Sequence, residues 1–297
     1  MFGRIVIYVI LIIISYEILN PVFYMISRSF MVRADIIDPT VNWIPSSLTL
    51  HNFRVAWEVL DMPRPLINSI WFSGLLAFLQ TSVAAFTGFA LSRFEFKLKR
   101  MWFVMIIVAF ILPLPLLAIP RSMLFISIQE ITGIQMIGTI YPQVIMAVLG
   151  QGIYSTILIF VFYNFMQMIP KSLDEAAEVD GANKFHVFFH IGVLISKSTV
   201  LVVFLLSMVW NWNETFMTNS FLRNRIPLLP ANLGIFEAVF ADNAPTEMIP
   251  GLGTTALINE AFRLSATLVS IIPLIILYLF VQKQFIRGIE NTGITGE

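Results

Sequence analysis

The chain has 297 residues, of which 58% are apolar and only 12% are charged, and its mean hydropathy is +0.84. A soluble domain is roughly 25% charged and roughly 45–50% apolar, so this composition excludes a water-soluble globule. Eighteen basic residues balance eighteen acidic ones, which leaves no net field to attract nucleic acid or an acidic substrate. The lack of cysteine excludes disulfides, thiolate catalysis and cysteine-ligated metal sites.

Six apolar stretches predict an all-α, polytopic membrane protein with one transmembrane domain over residues 1–297. A helix needs roughly 20 apolar residues to cross about 30 Å of hydrocarbon. The first stretch resembles a secretory signal in having Arg4 ahead of it, but its length, Glu17 and the lack of an A-x-A cleavage pattern indicate an uncleaved helix. The predicted spans are residues 5–26, 66–91, 101–119, 140–168, 198–217 and 264–281.

The short loop over residues 92–100 predicts the orientation. It holds Arg93, Lys97, Lys99 and Arg100 against a single acid, Glu95. Positive charge in short loops marks the cytoplasmic side of a membrane protein. With six spans, both termini and the segment 169–197 are then expected in the cytoplasm as well.

Glu17 lies in the middle of the first predicted span, where a charge costs at least a few kcal/mol. It should therefore face protein or water, or be protonated. Two interpretations stay open: a structural hydrogen bond between helices, or a role in a transport pathway. A proton-coupled secondary transporter that uses Glu17 is the alternative function, although such proteins normally have several intramembrane carboxylates and an internal repeat, which this sequence does not show.

The segment 170–194 predicts two short helices joined at a glycine. Ser172 and Glu175 have the spacing of a capping box, and Gly181 can supply the left-handed residue that ends the first helix. Asn183 can cap the second helix. Its predicted apolar face consists of Phe185, Phe188, Phe189 and Ile191. Composition leaves open whether this segment is a solvated acidic turn or a docking surface.

The same segment resembles the EAA motif of the membrane subunits of binding-protein-dependent ABC importers. The matching residues are Glu175, Ala176, Ala177, Gly181 and Ile191. Val193 and Leu194 stand where that family usually has leucine and proline, so the kink that leads into the fifth span stays open. We refer to residues 170–194 as the EAA segment.

The resemblance extends over nearly the whole chain and is closest to the carbohydrate-uptake permeases of the maltose-transporter kind. It includes residues 45–53, 68–69, 90–96 and 210–214. It implies a type I ABC importer permease fold in a bacterial or archaeal inner membrane, with the EAA segment as a coupling helix. The implied partners are a sister permease in a heterodimer, two cytoplasmic ATPase subunits that bind ATP and Mg, an extracytoplasmic solute-binding protein and membrane lipid. No cofactor is implied for this chain.

Two further observations bear on chemistry. No G-x-x-x-x-G-K-[ST] loop occurs in the chain, so it is not expected to be an ATP-hydrolysing enzyme. His186 and His190 have helical i, i+4 spacing, but no glutamate lies between them as a metalloprotease would require, and no metal site is expected.

A polar and aromatic cluster near the end of the fifth span is a candidate for the substrate pathway or an outer gate. Its residues are Trp210, Asn211, Trp212 and Glu214. An interfacial aromatic belt is the other interpretation of the same residues. The long outer segment 218–263 is expected to form a helix and loop that contact the solute-binding protein, and 282–297 is expected to be a flexible strand at the ATPase interface.

Overall fold

The computed structural model describes residues 2–223, 225–243 and 260–293 of the chain. Within these ranges the backbone is helical, and extended pairing is limited to one isolated bridge between Met31 and Leu48. The all-α prediction is therefore confirmed. Apolar runs fold this way because lipid offers no partner to backbone N–H and C=O groups, which a helix satisfies internally.

Fifteen α-helices and one π-helical segment follow one another within the described ranges. They are α1 (Phe2–Ser29), α2 (Arg33–Ile37), α3 (His51–Val59), α4 (Pro63–Arg93), α5 (Lys99–Ile111), α6 (Leu114–Thr132), α7 (Tyr141–Val148), α8 (Ser155–Met168), α9 (Lys171–Val179), α10 (Lys184–Val187), the π-helical segment (Phe188–Val193), α11 (Lys197–Asn213), α12 (Phe216–Leu222), α13 (Leu229–Gly234), α14 (Phe236–Asn243) and α15 (Glu260–Gly293).

Four of these helices are individually long and apolar enough to cross a membrane. They lie at Gly3–Ser29, Pro63–Arg93, Leu114–Thr132 and Glu260–Lys283. Two bent pairs pass the same test together: α8 with α9, at 72°, and Lys184–Val193 with α11, at 81°. The described residues therefore contain four candidate spans, or six if each bent pair counts as one.

The predicted continuous helix over 101–119 is interrupted. Helix α5 ends at Ile111, and α6 begins at Leu114 after Pro113 in an extended conformation, with ψ 134°. Proline has no N–H to donate and disfavours the helical region for the residue before it, so the Leu-Pro-Leu-Pro sequence at 112–115 ends one helix and starts another.

Other helix boundaries also differ from the predicted spans. The stretch 140–168 contains two helices, α7 and α8, separated by a turn in which Gly150 and Tyr154 have positive φ. The stretch 198–217 likewise divides between α11 and α12. The expected flexible strand after residue 282 is instead helical as far as Gly293, and 294–297 lie outside the described residues.

The described residues divide into two compact units. The first comprises Met1–Leu66 and Ala231–Pro273, and the second comprises Ile67–Pro230 and Leu274–Glu297. Helices α4 and α15 each continue from one unit into the other.

Polar side chains organise the connection between α1 and α3 in the first unit. The amide of Asn52 is buried and donates to the carbonyl oxygens of Ser29 (3.0 Å) and Met31 (2.8 Å). The carboxylate of Asp35 accepts from the backbone N–H and the hydroxyl of Ser46, at 2.9 and 2.5 Å. The bonds from Asn52 satisfy buried backbone carbonyls in a segment that lacks regular pairing.

The core of the second unit lies among α4, α8 and α11 and reaches the EAA segment. Helices α4 and α8 approach closely at Gly88, where an added Cβ would lie 2.6 Å from the Cβ of Phe162 and 2.8 Å from the nitrogen of Tyr163. Val187 and Phe188 of the EAA segment are buried in this same cluster. The transmembrane core therefore fixes the position of the EAA segment.

Candidate functional site

The first helix of the EAA segment, α9, begins earlier than predicted. Pro170 occupies the N-cap position in an extended conformation, and no side chain caps the helix. The predicted capping box at Ser172 is therefore wrong. The proline ring fixes the backbone ahead of Lys171, so that the first turn starts there and Ser172 already lies inside it.

The end of α9 has the predicted geometry. Gly181 has φ +89°, the N–H of Gly181 bonds to the carbonyl of Glu178 at 3.0 Å, and the N–H of Ala182 bonds to the carbonyl of Ala177 at 2.9 Å. This pair of bonds is a Schellman motif, which confirms the left-handed cap. A Cβ at Gly181 would contact nothing within 4 Å, so backbone conformation, and not space, favours glycine here.

Asn183 caps the second helix, as predicted. Its Oδ1 accepts a hydrogen bond from the backbone N–H of His186 at 2.8 Å. Helix α10 has only four residues and continues directly into the π-helical segment.

The predicted apolar residues of this second helix differ in their exposure. Phe188 is buried and Ile191 packs against the core of the second unit, whereas Phe185 and Phe189 are exposed, Phe185 to 71%. From Phe188 onward the π-helical geometry, with its i to i+5 repeat, also departs from the side-chain spacing of an α-helix.

A buried ion pair joins the end of α4 to the first turn of α9. Nε of Arg93 lies 2.8 Å from Oδ2 of Asp174, and their side chains are only 6% and 12% exposed. The guanidinium also donates to the carbonyl of Ile169 at 3.0 Å. In the part of the chain that the structure describes, Oδ1 of Asp174 has no hydrogen-bond partner.

The environment of Asp174 combines opposing influences. Burial raises the pKa of this carboxyl above its usual range, and the adjacent Arg93 opposes that rise. Glu178 and Glu175 also raise the pKa, and Lys184 lowers it. Sequence reasoning missed the pair, because Arg93 counted only as a loop charge and nothing in the sequence associates it with Asp174.

The motif residues lie on two sides of the segment. Ala177 and Ile191 pack against the transmembrane core. Glu175, Ala176 and Gly181 are exposed. Helical geometry places Glu175, Ala176 and Val179 on the side of α9 opposite Asp174 and Ala177. We call these three residues, of which Val179 is 88% exposed, the outer face of α9.

The predicted pathway cluster separates into two pairs. Trp210 and Glu214 line a cavity of about 550 Å³, in which the rings of Trp210 and Tyr154 meet edge to face at 5.0 Å. Glu214 also accepts from the backbone N–H groups of Met217 (2.7 Å) and Thr218 (3.0 Å), so it caps α12.

Asn211 and Trp212 are buried away from that cavity. The amide of Asn211 donates to Oε1 of Gln80 at 3.3 Å, and the hydroxyl of Ser207 donates to the same oxygen at 2.7 Å. This network links α4 to α11 in the interior of the second unit. Gln80 was not predicted to belong to it, since one glutamine in an apolar stretch has no distinctive spacing.

Glu17 lies on the exposed surface of α1. None of the most apolar stretch of this helix is buried against the rest of the chain. Glu17 forms no hydrogen bond or ion pair with any residue the structure describes. The expected structural hydrogen bond is therefore not made within the described chain.

A helical membrane chain that holds an EAA segment against its transmembrane core is the membrane component of an ABC importer. The chain belongs to the family described as the binding-protein-dependent transport system inner membrane component, which matches residues 80–291. It is accordingly a multi-pass component of an inner membrane that works with other transporter subunits. ATP hydrolysis belongs to a separate subunit, and nothing among the relatives supports proton coupling through Glu17.

Curated relatives and a solved structure match the chain over nearly its full length. It is 25% identical to the melibiose/raffinose/stachyose import permease protein MelC of Bacillus subtilis, covering 93% of this chain and 91% of MelC. It is 24% identical to the arabinooligosaccharides transport system permease protein AraQ of Halalkalibacterium halodurans, covering 95% of this chain and 93% of AraQ. The crystal structure of a bacterial ABC transporter involved in the import of the acidic polysaccharide alginate matches with a TM-score of 0.72 at 20% identity, covering 96% of each chain, and supports the fold.

Proposed function

We propose that this chain is one of two homologous permeases in an ATP-driven oligosaccharide importer, and that its EAA segment transmits the movements of a cytoplasmic ATPase. The observation that carries the proposal is the two-sided construction of α9. Its inner side is fixed by the buried Arg93–Asp174 pair and by Ala177, and its outer face leaves Glu175 exposed.

The attachment of the EAA segment suits the transmission of force. A lever must be rigid relative to what it moves, and the Schellman motif, the Asn183 cap and the buried ion pair each restrict the segment. Force applied to the outer face of α9 would therefore act on the inner end of α4, which carries Arg93.

The proposed assembly contains this permease, a sister permease, two ATPase subunits that bind ATP and Mg, and a solute-binding protein. The exposure of α1 supports the presence of a sister permease, because the carboxylate of Glu17 would otherwise face lipid at mid-membrane, at a cost of at least a few kcal/mol. A neighbouring subunit that donates to Glu17 would remove that cost. Helices α12 to α14 are candidates for contact with the binding protein, and residues 244–259 of the same segment lie outside the described residues.

We expect the loop 92–100, the EAA segment and both termini to face the cytoplasm. Because the natural chain has no cysteine, single substitutions report on one position each. In intact cells, an impermeant thiol reagent should label Asp242→Cys and leave Lys97→Cys unlabelled until the membrane is permeabilised. Labelling of Lys97→Cys from outside would contradict the orientation.

The cavity beside Trp210 supports a carbohydrate substrate. Aromatic rings of Trp210 and Tyr154 offer faces for sugar rings, and Asn213 and Glu214 offer hydrogen-bonding groups at the same cavity. The names of MelC and AraQ assign oligosaccharides to those relatives, which makes this substrate class the reasonable one to test first.

We expect Trp210→Ala to lower the uptake of the transported oligosaccharide by about fivefold, in line with the loss of one aromatic contact. The matched control is Trp102→Ala, since Trp102 is half exposed on α5 and does not line the cavity. Uptake is measured with the assembled transporter in proteoliposomes. Equal losses in the two variants would contradict a substrate contact at Trp210.

A further inference from the structure

A cavity of about 730 Å³ opens where α4 gives way to α5, and the proposed coupling does not use it. It lies entirely within the second unit. Its lining residues are Glu95, Phe96, Leu98, Lys99, Arg100, Phe103, Val104 and Tyr163.

The rim of this cavity carries an excess of positive charge. Lys99 pairs with Glu95 at 2.8 Å, while Lys97 and Arg100 form no ion pair with the residues that the structure describes. The pKa of Glu95 is lowered, mainly by Lys99 and also by Lys171 of the EAA segment. Two bases, Lys99 and Arg100, therefore line the cavity beside one acid, Glu95.

The start of α5 adds to this unbalanced charge. Its first turn contains Lys99 and Arg100 and no acid, and no side chain caps the helix. Cations at a helix N-terminus are unfavourable because that end already carries partial positive charge. Leu98 precedes the helix with φ +64°, a left-handed conformation that is costly for a residue with a branched side chain.

The wall of the cavity has a different character from its rim. The rings of Phe103 and Tyr163 meet at 5.3 Å, and Val104 lies beside them. The cavity therefore runs from a basic rim to an aromatic and aliphatic wall formed by α5 and α8, and α5 is exposed along most of its length. A free phosphate would use the rim alone, whereas a phospholipid would use both regions.

We propose that this cavity binds the headgroup of an anionic membrane phospholipid. The phosphate lies at the rim with Arg100 and Lys99, and the first carbons of the acyl chains lie against Phe103 and Tyr163. Basic clusters at the membrane surface attract anionic lipids, with an appreciable contribution from each lysine or arginine. Because Lys171 of α9 acts electrostatically on Glu95 at the rim, the bound lipid also lies near the start of α9.

Native mass spectrometry of the assembled transporter, titrated with lipids that share the same dioleoyl chains, tests the proposal. We expect phosphatidylglycerol to bind more tightly than phosphatidylethanolamine or phosphatidylcholine. Arg100→Gln should weaken phosphatidylglycerol binding by about fivefold and Glu95→Gln should strengthen it by a similar factor. The matched control is Lys197→Gln, because Lys197 is also an exposed base at the start of a helix but does not line the cavity.

Three outcomes would overturn the proposal. Equal affinity for the three lipids would exclude an anionic headgroup, and tighter binding of phosphatidylethanolamine would assign recognition to Glu95 and an amine. Displacement of phosphatidylglycerol by millimolar inorganic phosphate would identify a free anion as the ligand. None of these measurements requires transport, so the lipid site and the proposed transport function can fail separately.

Discussion

Replacing Glu175 by lysine should abolish uptake while leaving the protein inserted in the membrane and paired with its sister permease. Glu175 is exposed on the outer face of α9, away from the contacts that fix the helix. A carboxylate there can pair with a basic residue of the ATPase, and charge-assisted contacts of this kind contribute roughly 1.5–3 kcal/mol. Reversal of the charge replaces attraction by repulsion, so affinity for the ATPase should fall by about tenfold or more.

The measurement is the amount of ATPase that remains bound to membranes, together with uptake in the same preparation. Glu175→Gln should give an intermediate loss, because it removes the charge without reversing it. Glu130→Lys is the control for charge reversal at an exposed acid elsewhere, in α6. If Glu175→Lys kept full uptake, or changed which sugar is carried, the assignment of the EAA segment to coupling would be wrong.

Replacing Arg93 by methionine should have the second large effect, by loosening the EAA segment from α4. The pair with Asp174 is buried, and removal of one partner of a buried ion pair typically costs about 3 kcal/mol or more. Hydrogen exchange in α9 should accelerate, and ATP hydrolysis should become independent of the loaded binding protein. Asp174→Asn should cost less, because Arg93 still donates to the carbonyl of Ile169 and an uncharged amide is less costly to bury than a lone carboxylate.

The pH dependence of hydrogen exchange in α9 distinguishes Arg93→Met from Asp174→Asn. Burial raises the pKa of Asp174 in the folded chain, so its ionised form is less favourable there than in the unfolded chain. Its contribution to stability is thus greatest at low pH and declines as the pH rises through the raised pKa. In Arg93→Met, arginine no longer opposes the rise of the Asp174 pKa. Because acidification protonates the buried carboxylate, it should restore the protection of α9 from hydrogen exchange.

Asp174→Asn should show no such recovery, since its amide does not titrate in this range. The double variant Arg93→Met/Asp174→Leu should regain most of the lost stability, because neither charge is then left buried alone. Hydrogen exchange, corrected for its intrinsic pH dependence, measures the protection of α9 in all of these variants. Equal protection of α9 in Arg93→Met and in the natural protein would contradict an anchoring role for the pair.

The features that were predicted correctly depend on local chemistry. The left-handed cap at Gly181 and the cap at Asn183 need only residues a few positions away, and both formed as expected. Apolar composition similarly predicted helices, because lipid forces backbone groups to pair within a segment. The EAA motif was recognisable for the same reason, since its residues lie close together in the chain.

The features that were missed depend on packing between distant residues or on helical phase. Arg93 and Asp174 are far apart in the chain and come together through tertiary packing, in which α4 and α8 approach closely at Gly88. Trp210, Asn213 and Glu214 recur at helical spacing and line one cavity, whereas Asn211 lies on the side of α11 that bonds to Gln80 of α4. The break at Pro113 was hidden because hydropathy does not distinguish one long helix from two.

Uptake into proteoliposomes, with and without the ATPase subunits, separates an ATP-driven importer from a proton-coupled transporter. We expect this permease and its sister to carry oligosaccharide only when ATP, the ATPase subunits and the loaded binding protein are all present. We also expect Glu17→Gln to leave the requirement for ATP unchanged. Uptake driven by a pH gradient without ATP, and lost in Glu17→Gln, would contradict an ATP-driven importer.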